Sequence, residues 1–388
     1  MACDVKLSTV YQRATIISLA IPHLQATLST LFTMGGSESI TTLRFACACR
    51  KVTGSARIPT ERLPLPFDIC HCNDCRHQSG LLAASYSALP EGSTDIRFEG
   101  PVAEYRSSET VARSFCSHCG ANVLFRDFNE PRPDIPTGIF DETKGFVELR
   151  SNHFLPDTKD GGLSAWLSDV PAFEGFPYRS KRVQPSDYEG STSGLMGDTE
   201  LEAYCHCKGV QFKITRPTGA SKELSSPWPD LQKPYISGPP ENKDDVKWWL
   251  RANDTKYLAG TCVCSSCRLA SGFDIQTWAF IPKANIFQSN GDPLSFDIGT
   301  LKQYKSSEGT FREFCSKCGA TVFWHCDQRP HLIDVSVGLL DASEGARCET
   351  WLEWWTDRVS FEEEAHNREL VSRLSAGLKR RANIGKPS

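Results

Sequence analysis

Residues 105–125 read YRSSETVARSFCSHCGANVLF and residues 304–324 read YKSSEGTFREFCSKCGATVFW, with the same residue at 12 of 21 positions. Self-similarity of this kind marks an internal duplication, which decides the architecture before any local pattern is considered. The likeness runs past the cysteines, since TGIFDETKG from Thr137 matches VGLLDASEG from Val337. Working outward, the cysteines write the same grammar twice. C-x-C falls at 47 and 49, C-x-C-x-x-C at 70, 72 and 75, and C-x-x-C at 116 and 119; the second copy has 205 and 207, then 262, 264 and 267, then 315 and 318. The copies are offset by 158 residues at the first pair, 192 at the triad and 199 at the last pair. The second copy therefore holds 34 additional residues ahead of its triad, near 220–254, rich in Pro and charge, which read as a surface excursion.

This arithmetic divides the chain into a first domain over 43–185 and a second over 199–362, each of a size that folds alone, with a Gly-, Ser- and Thr-rich linker at 186–198. Short apolar or alternating runs such as VQFKIT, TWAFIP, NVLFRDF and LIDVSVGLL lie between Gly, Pro, Asn and Asp clusters, so both domains are expected to be mainly β and antiparallel. Residues 363–388 form a C-terminal helix and tail. The acidic FEEEAHNREL, the narrow stripe Leu370, Val371, Leu374 and Leu378, and the basic LKRR fit a solvated surface helix whose charges complement its dipole. Residues 1–42 read as an N-terminal extension from an upstream start, ahead of a targeting segment as the alternative. Pro22, His23 and Gln25 interrupt its apolar run and argue against a membrane span.

Lys and Arg number 43 against 47 Asp and Glu, a formal charge of -4, so the basic excess of a general nucleic-acid or anionic-membrane binder is missing. Cysteine is the outlier, at 17 residues. Cysteines in C-x-C and C-x-C-x-x-C sit too close to bridge one another comfortably, and a reducing, cytoplasmic setting is expected. Both C-x-x-C pairs are preceded by Phe and followed by Gly-Ala, the wording of a metal knuckle whose turn aims backbone N–H groups at thiolate sulfur.

Seven cysteines per copy do not divide into two closed tetrahedral sites. Four close one structural zinc, and three leave a second zinc with an open position, which separates structural from catalytic chemistry. The flanking pairs, Cys47 and Cys49 with Cys116 and Cys119, are the natural clamp, and the local triad Cys70, Cys72 and Cys75 makes a three-legged cup. In the second copy the clamp is Cys205, Cys207, Cys315 and Cys318, and the cup is Cys262, Cys264 and Cys267. Other groupings are compatible with the sequence alone. Up to four zinc ions are expected, two per domain.

CHCNDCRHQSG at 70–80, with the upstream C-x-C and the downstream FCSHCGA, resembles the glutathione-dependent formaldehyde-activating enzyme family, which also contains the centromere protein V domain. The resemblance covers nearly all of both copies. It implies tandem zinc-containing β domains of the Mss4-like kind and the same division of the cysteines. It also implies a carbon–sulfur lyase activity that forms or breaks S-hydroxymethylglutathione, with glutathione as the small-molecule partner. The alternative is a zinc-stabilised binding or scaffold module of the centromere protein V type. A zinc held by three thiolates carries net negative charge, so a neighbouring cation matters. Arg76 and Arg268, which follow the third cysteine of each triad, are candidates for neutralising it or for holding a glutathione carboxylate, against a plain role as surface arginines.

Other residues take ordinary readings. His71 lies inside the first triad where the second has Val263, and reads as a surface side chain ahead of an outer partner of the metal. Cys326 and Cys348 have no counterparts in the first copy and read as buried or idle thiols. Trp351, Trp354, Trp355 and Trp166 read as core packing, and Asp141 and Asp341 as turn residues.

Overall fold

The computed structural model describes residues 39–188, 198–234 and 241–384. Most of the expected N-terminal extension, most of the linker, residues 235–240 of the insertion and residues 385–388 of the tail lie outside the described residues.

Each copy builds one small and one large sheet. In the first, the strands Ile40–Ala46, Thr53–Pro59 and Thr94–Glu99 form a three-stranded sheet. The large sheet runs Arg182–Val183, Ala172–Phe173, Val147–His153, Leu65–Cys70, Ala84–Ala88, Asp134–Pro136, Asn122–Asp127, Val111–Cys116 and Val102–Arg106. The second copy repeats this with Glu200–Tyr204, Gln211–Thr215 and Ile286–Gln288 in the small sheet. Its large sheet has Lys256–Cys262 against Gln276–Pro282, then Leu332–Ser336, Thr321–Cys326, Thr310–Cys315 and Leu301–Ser307. The mainly β expectation holds. Antiparallel pairing is broken at the strand that feeds each triad: Val147–His153 pairs parallel with Leu65–Cys70, and Leu352–Trp354 pairs parallel with Lys256–Cys262.

Two short helices follow these strands, α1 at Asn73–Ser79 and α2 at Ser265–Ser271. Each starts on a cysteine sulfur, because Cys72 accepts from the Cys75 N–H and Cys264 from the Cys267 N–H, both at 3.3 Å. A sulfur in this position fills the role of an N-capping oxygen for a first-turn donor. Each helix stops on a left-handed glycine, Gly80 at φ 83° and Gly272 at φ 90°. A side chain there is doubly excluded: a Cβ on Gly80 would stand 2.0 Å from the Thr321 carbonyl oxygen, and one on Gly272 2.3 Å from that of Asn122.

Those two carbonyls belong to the opposite copy. The Gly338 N–H donates to the Gly80 carbonyl and the Gly138 N–H to the Gly272 carbonyl, each at 2.9 Å. Arg76 donates to the carbonyls of Gly338 and Leu340, and Arg268 to those of Gly138 and Phe140. Gln78 reaches the Cys318 carbonyl at 2.8 Å, and Asn122 reaches that of Ser271 at 3.0 Å. The copies are thus joined by backbone groups that would otherwise be buried without partners. The apolar core follows suit, since Phe67, Ile69, Leu163 and Trp166 of the first copy pack in one cluster with the core of the second.

The C-terminal helix corrects an expectation. It spans Arg368–Ile384 (α3), and Leu370, Val371, Leu374 and Leu378 are all buried, so the helix is docked and not solvated. Its seat is the 3-10 turn Gly162–Trp166 of the first copy, beside the Trp166–Trp354 ring pair at 4.8 Å, and Arg373 reaches Asp169 at 3.1 Å. A narrow stripe is enough to dock a helix where a glycine lets it come close. A Cβ on Gly377 would lie 1.7 Å from the Trp166 carbonyl oxygen. Gly377→Ala, which gains about 1 kcal/mol in an isolated helix, is therefore expected to cost about 1–3 kcal/mol here through overpacking. Urea denaturation reads the sign, and an unchanged or raised midpoint contradicts this packing.

Candidate metal centres and their cavities

The structure brings together every cysteine set expected from the spacing. Cys47, Cys49, Cys116 and Cys119 form one group and Cys205, Cys207, Cys315 and Cys318 another; the triads Cys70, Cys72, Cys75 and Cys262, Cys264, Cys267 form two more, all with sulfurs within 4.8 Å of one another. In the clamps, Cys47 lies 3.5 Å from Cys49, Cys49 3.6 Å from Cys116 and Cys207 3.5 Å from Cys315. Four sulfurs about 2.3 Å from a tetrahedral zinc stand about 3.8 Å apart, so these sets fit that ion.

Backbone donors surround the clamp sulfurs. The Val52 N–H points at Cys47 and the Val210 N–H at Cys205, each at 3.3 Å, while the Cys318 N–H points at Cys315 at 3.4 Å. Such donors favour thiolate over thiol. Hydrogen bonds from Cys116 and then Cys119 hold Cys47 far below the usual thiol range, at about 2. Cys49 is also lowered, to about 7, whereas Cys116 and Cys119 are raised and keep protons that a divalent ion would displace.

The cups differ from the clamps in what faces them. Each opens on a cavity, of about 700 Å³ in the first copy and about 590 Å³ in the second, within the size range of a small-molecule pocket. Into each cup reaches one buried arginine that sequence reading missed. Arg113, 4% exposed, donates to Cys75 at 3.4 Å, and Arg312, 5% exposed, donates to Cys267 at 3.6 and 3.7 Å. Hydrogen bonds from the two other cup sulfurs, with the arginine charge behind them, hold Cys75 and Cys267 well below the ordinary thiol range. The signal was present in the duplicated stretch, where Arg stands three residues before the knuckle cysteine in both copies. One strand thus serves two centres, Val111–Cys116 sending Arg113 to the cup and Cys116 to the clamp.

Arg76 and Arg268 do not face the cups. Both are buried and spend their guanidinium donors on carbonyls of the opposite copy, Arg76 also meeting Asn73 at 3.0 Å. The charge-balancing place they were read into is held by Arg113 and Arg312. The surface reading of His71 is also corrected, because the ring is fully buried and its Nε2 meets the Asn152 side-chain oxygen at 3.0 Å. Burial pushes its pKa down to about 4, so it stays neutral. Cys326 and Cys348 are buried, and neither joins a metal-binding group among the described residues.

The clamp of each copy also buttresses the cup of the other. The His206 N–H, inside the second clamp, donates to the His77 carbonyl of α1 at 3.0 Å, and the Ala48 N–H, inside the first clamp, donates to the Leu269 carbonyl of α2 at 3.1 Å. The first cup is held more elaborately. His206 meets the Tyr105 hydroxyl at 2.7 Å and Asp74, inside the triad, at 3.3 Å, and His77 stacks on Tyr204 at 4.2 Å.

The cavities are walled differently. Part of the 34-residue insertion enters the second, where Trp228, Asp230 and Leu231 form one wall. The first is walled by its own copy, with Phe154, Phe176 and Tyr178 at one side and Tyr86 beside the cup. Tyr86, replaced by Trp278 in the second copy, accepts from Arg113 at 3.1 Å.

The model of the family described as glutathione-dependent formaldehyde-activating enzyme matches residues 42–155 and 247–358, more than half of the chain. The second matched segment begins after Cys205 and Cys207, which the fold nevertheless delivers to Cys315 and Cys318. No curated protein matches the chain. Among the described residues no helix is long and apolar enough to cross a membrane.

Arg113→Met removes the donor from Cys75 and leaves Gln78 and Tyr86 short of a partner, with an expected loss of about 1–3 kcal/mol in chemical denaturation. Arg312 donates side-chain hydrogen bonds only to Cys267 among the described residues, so Arg312→Met is expected to cost less. Equal losses in the two variants contradict this difference.

Proposed function

The chain belongs to the glutathione-dependent formaldehyde-activating enzyme family, and on that premise we propose that it makes and breaks carbon–sulfur adducts between a small thiol such as glutathione and formaldehyde or a related aldehyde. The observation that carries this reading is the contrast between closed and open sulfur sets. The clamps have four ligands, whereas each cup has three and lines a cavity large enough for a tripeptide thiol. We propose that Cys47, Cys49, Cys116 and Cys119, with Cys205, Cys207, Cys315 and Cys318, hold structural zinc, and that Cys70, Cys72 and Cys75, with Cys262, Cys264 and Cys267, hold reactive zinc. Zinc held by either of those triads would lower the pKa of a substrate thiol.

The chain's own groups supply the remainder. Arg113 and Arg312 place a fixed positive charge against the cup sulfurs, offsetting charge that would otherwise repel an incoming thiolate. The caps at Cys72 and Cys264 hold the cup geometry independently of substrate. Aromatic side chains line both cavities, Phe154, Phe176 and Tyr178 in the first and Trp228, Trp278 and Trp324 in the second, giving apolar surface beside the adduct.

Purified protein is expected to contain about four zinc ions per chain, one for each cysteine group. Cys72→Ser combined with Cys264→Ser is expected to abolish glutathione-dependent consumption of formaldehyde while the clamp ions and the fold persist, read by metal analysis and circular dichroism. Full activity in that double variant removes the cups from the chemistry. Full zinc loading with no activity in the parent protein leaves the binding-module reading.

A further inference from the structure

The two cavities carry a matching aspartate in different company. Asp134 pairs across the sheet with Phe125, and Asp334 with Trp324, so the two occupy the same place in their copies and each lines the cavity of its own cup. In the second copy Asp334 accepts from Arg329 at 2.7 Å, and Arg329, fully buried, also meets Asp230 of the insertion at 2.9 Å. Burial pushes the Asp334 carboxyl up to about 8 against the pull of Arg329, so what separates it from Asp134 is its engagement: its oxygen is held by a guanidinium that is itself fully buried.

The first copy lacks this partner. Where the second reads DQRPHLIDVS from Asp327, the first reads FNEPRPDIPT from Phe128, and the residue ahead of the shared Pro is Glu130 in place of Arg329. Asp134 has no side-chain hydrogen bond among the described residues, and it faces the cavity shared with Cys70, Cys72 and Cys75. Its charged neighbours are Asp68 on the strand Leu65–Cys70, Asp127 on Asn122–Asp127, Glu130 and Arg132 on the loop before it, and Arg150 on Val147–His153. Of these, Arg150 is committed to Asp68, which also meets His153 at 3.4 Å. Tyr86, on the adjoining strand Ala84–Ala88, is turned to Arg113.

We propose that Asp134 is the proton carrier of the first cup, and that the second cup, whose equivalent carboxylate is locked to Arg329, has none. This rests on the thiol–aldehyde reading above. In the forward step the Asp134 carboxylate takes the S–H proton of the substrate thiol, and the sulfur lone pair forms the S–C bond. The carbonyl π pair moves to oxygen, and that oxygen takes the proton back from the Asp134 carboxyl. Atoms and charge balance without a further reactant, and the carboxylate is regenerated. Burial, and then the charges of Asp68 and Glu130, raise Asp134 from 3.8 to about 7, where one group both accepts and releases a proton at neutral pH.

The test uses the zinc-loaded full chain carrying Cys264→Ser, so that the first cup alone reports. Exchange between carbon-13 formaldehyde and its glutathione adduct is followed by NMR across pH, with glutathione binding measured by calorimetry. Asp134→Asn is expected to slow exchange by about a hundredfold with binding retained, and to remove the limb of the pH profile near neutrality. Glu130→Arg, which installs the pairing of the second copy, is expected to move that limb to lower pH. Stability gives a readout apart from activity. A carboxyl whose folded pKa lies above its unfolded value contributes stability below the unfolded value and loses it as pH rises, here between 3.8 and about 7, and Asp134→Asn is expected to flatten that slope. If the parent exchanges adduct and Asp134→Asn matches it in rate and pH profile, this inference is overturned alone. A parent that neither binds glutathione nor accelerates exchange overturns it together with the function it rests on.

Discussion

The contact on which the remainder of the molecule depends is the exchange of backbone hydrogen bonds between the two copies at their cup helices. The Gly80 carbonyl is satisfied by the Gly338 N–H, and the Gly272 carbonyl by the Gly138 N–H. Around each, a buried arginine from the cup helix closes on further carbonyls of the other copy. Removing one copy would expose these groups and the apolar faces beside them, and would leave the remaining cup arginine without its carbonyl acceptors. Duplication therefore produced one interlocked body in which a cup is completed by the copy that does not contain it.

That arrangement gives the clamps a second role. A four-sulfur centre fixes the small sheet to the knuckle strand of its own copy, and through His206 or Ala48 it also supports the cup helix of the other. The strand Val111–Cys116 extends the logic, since its pleat sends Arg113 toward the cup while its end supplies Cys116 to the clamp. A two-residue side-chain period is what allows one strand to serve two centres on its faces and end. The second copy repeats the device with Arg312 and Cys315.

Much of this was legible in the sequence because cysteine spacing is a covalent constraint that tertiary packing does not override. The repeat and the grouping of the fourteen duplicated cysteines followed from it, and the β class from the short alternating runs between turn residues. Arg76 and Arg268 were misread because adjacency in sequence was taken for adjacency to sulfur, whereas a helix turns the residue after Cys75 away from the cup and toward the other copy. Arg113 and Arg312 were visible as repeated letters but not as neighbours of sulfur, since strand pairing across the sheet determines that contact. The docking of α3 was hidden for a similar reason: the turn that receives it at Gly162–Trp166 lies some two hundred residues earlier in the chain.

The interlock also bears on synthesis. The bond from Gly338 to Gly80 spans 258 residues, so at typical elongation rates the first cup waits roughly ten to fifty seconds for the carbonyls that complete it. Its clamp, in contrast, is complete in sequence by Cys119. During that interval the clamp and triad cysteines of the first copy are all present, while α1 still lacks the groups of the second copy that Gly80 and Arg76 meet. A long-range contact of this kind makes completion of the first cup a matter of chain direction, its clamp cysteines being local to one copy while its helix contacts wait for the other.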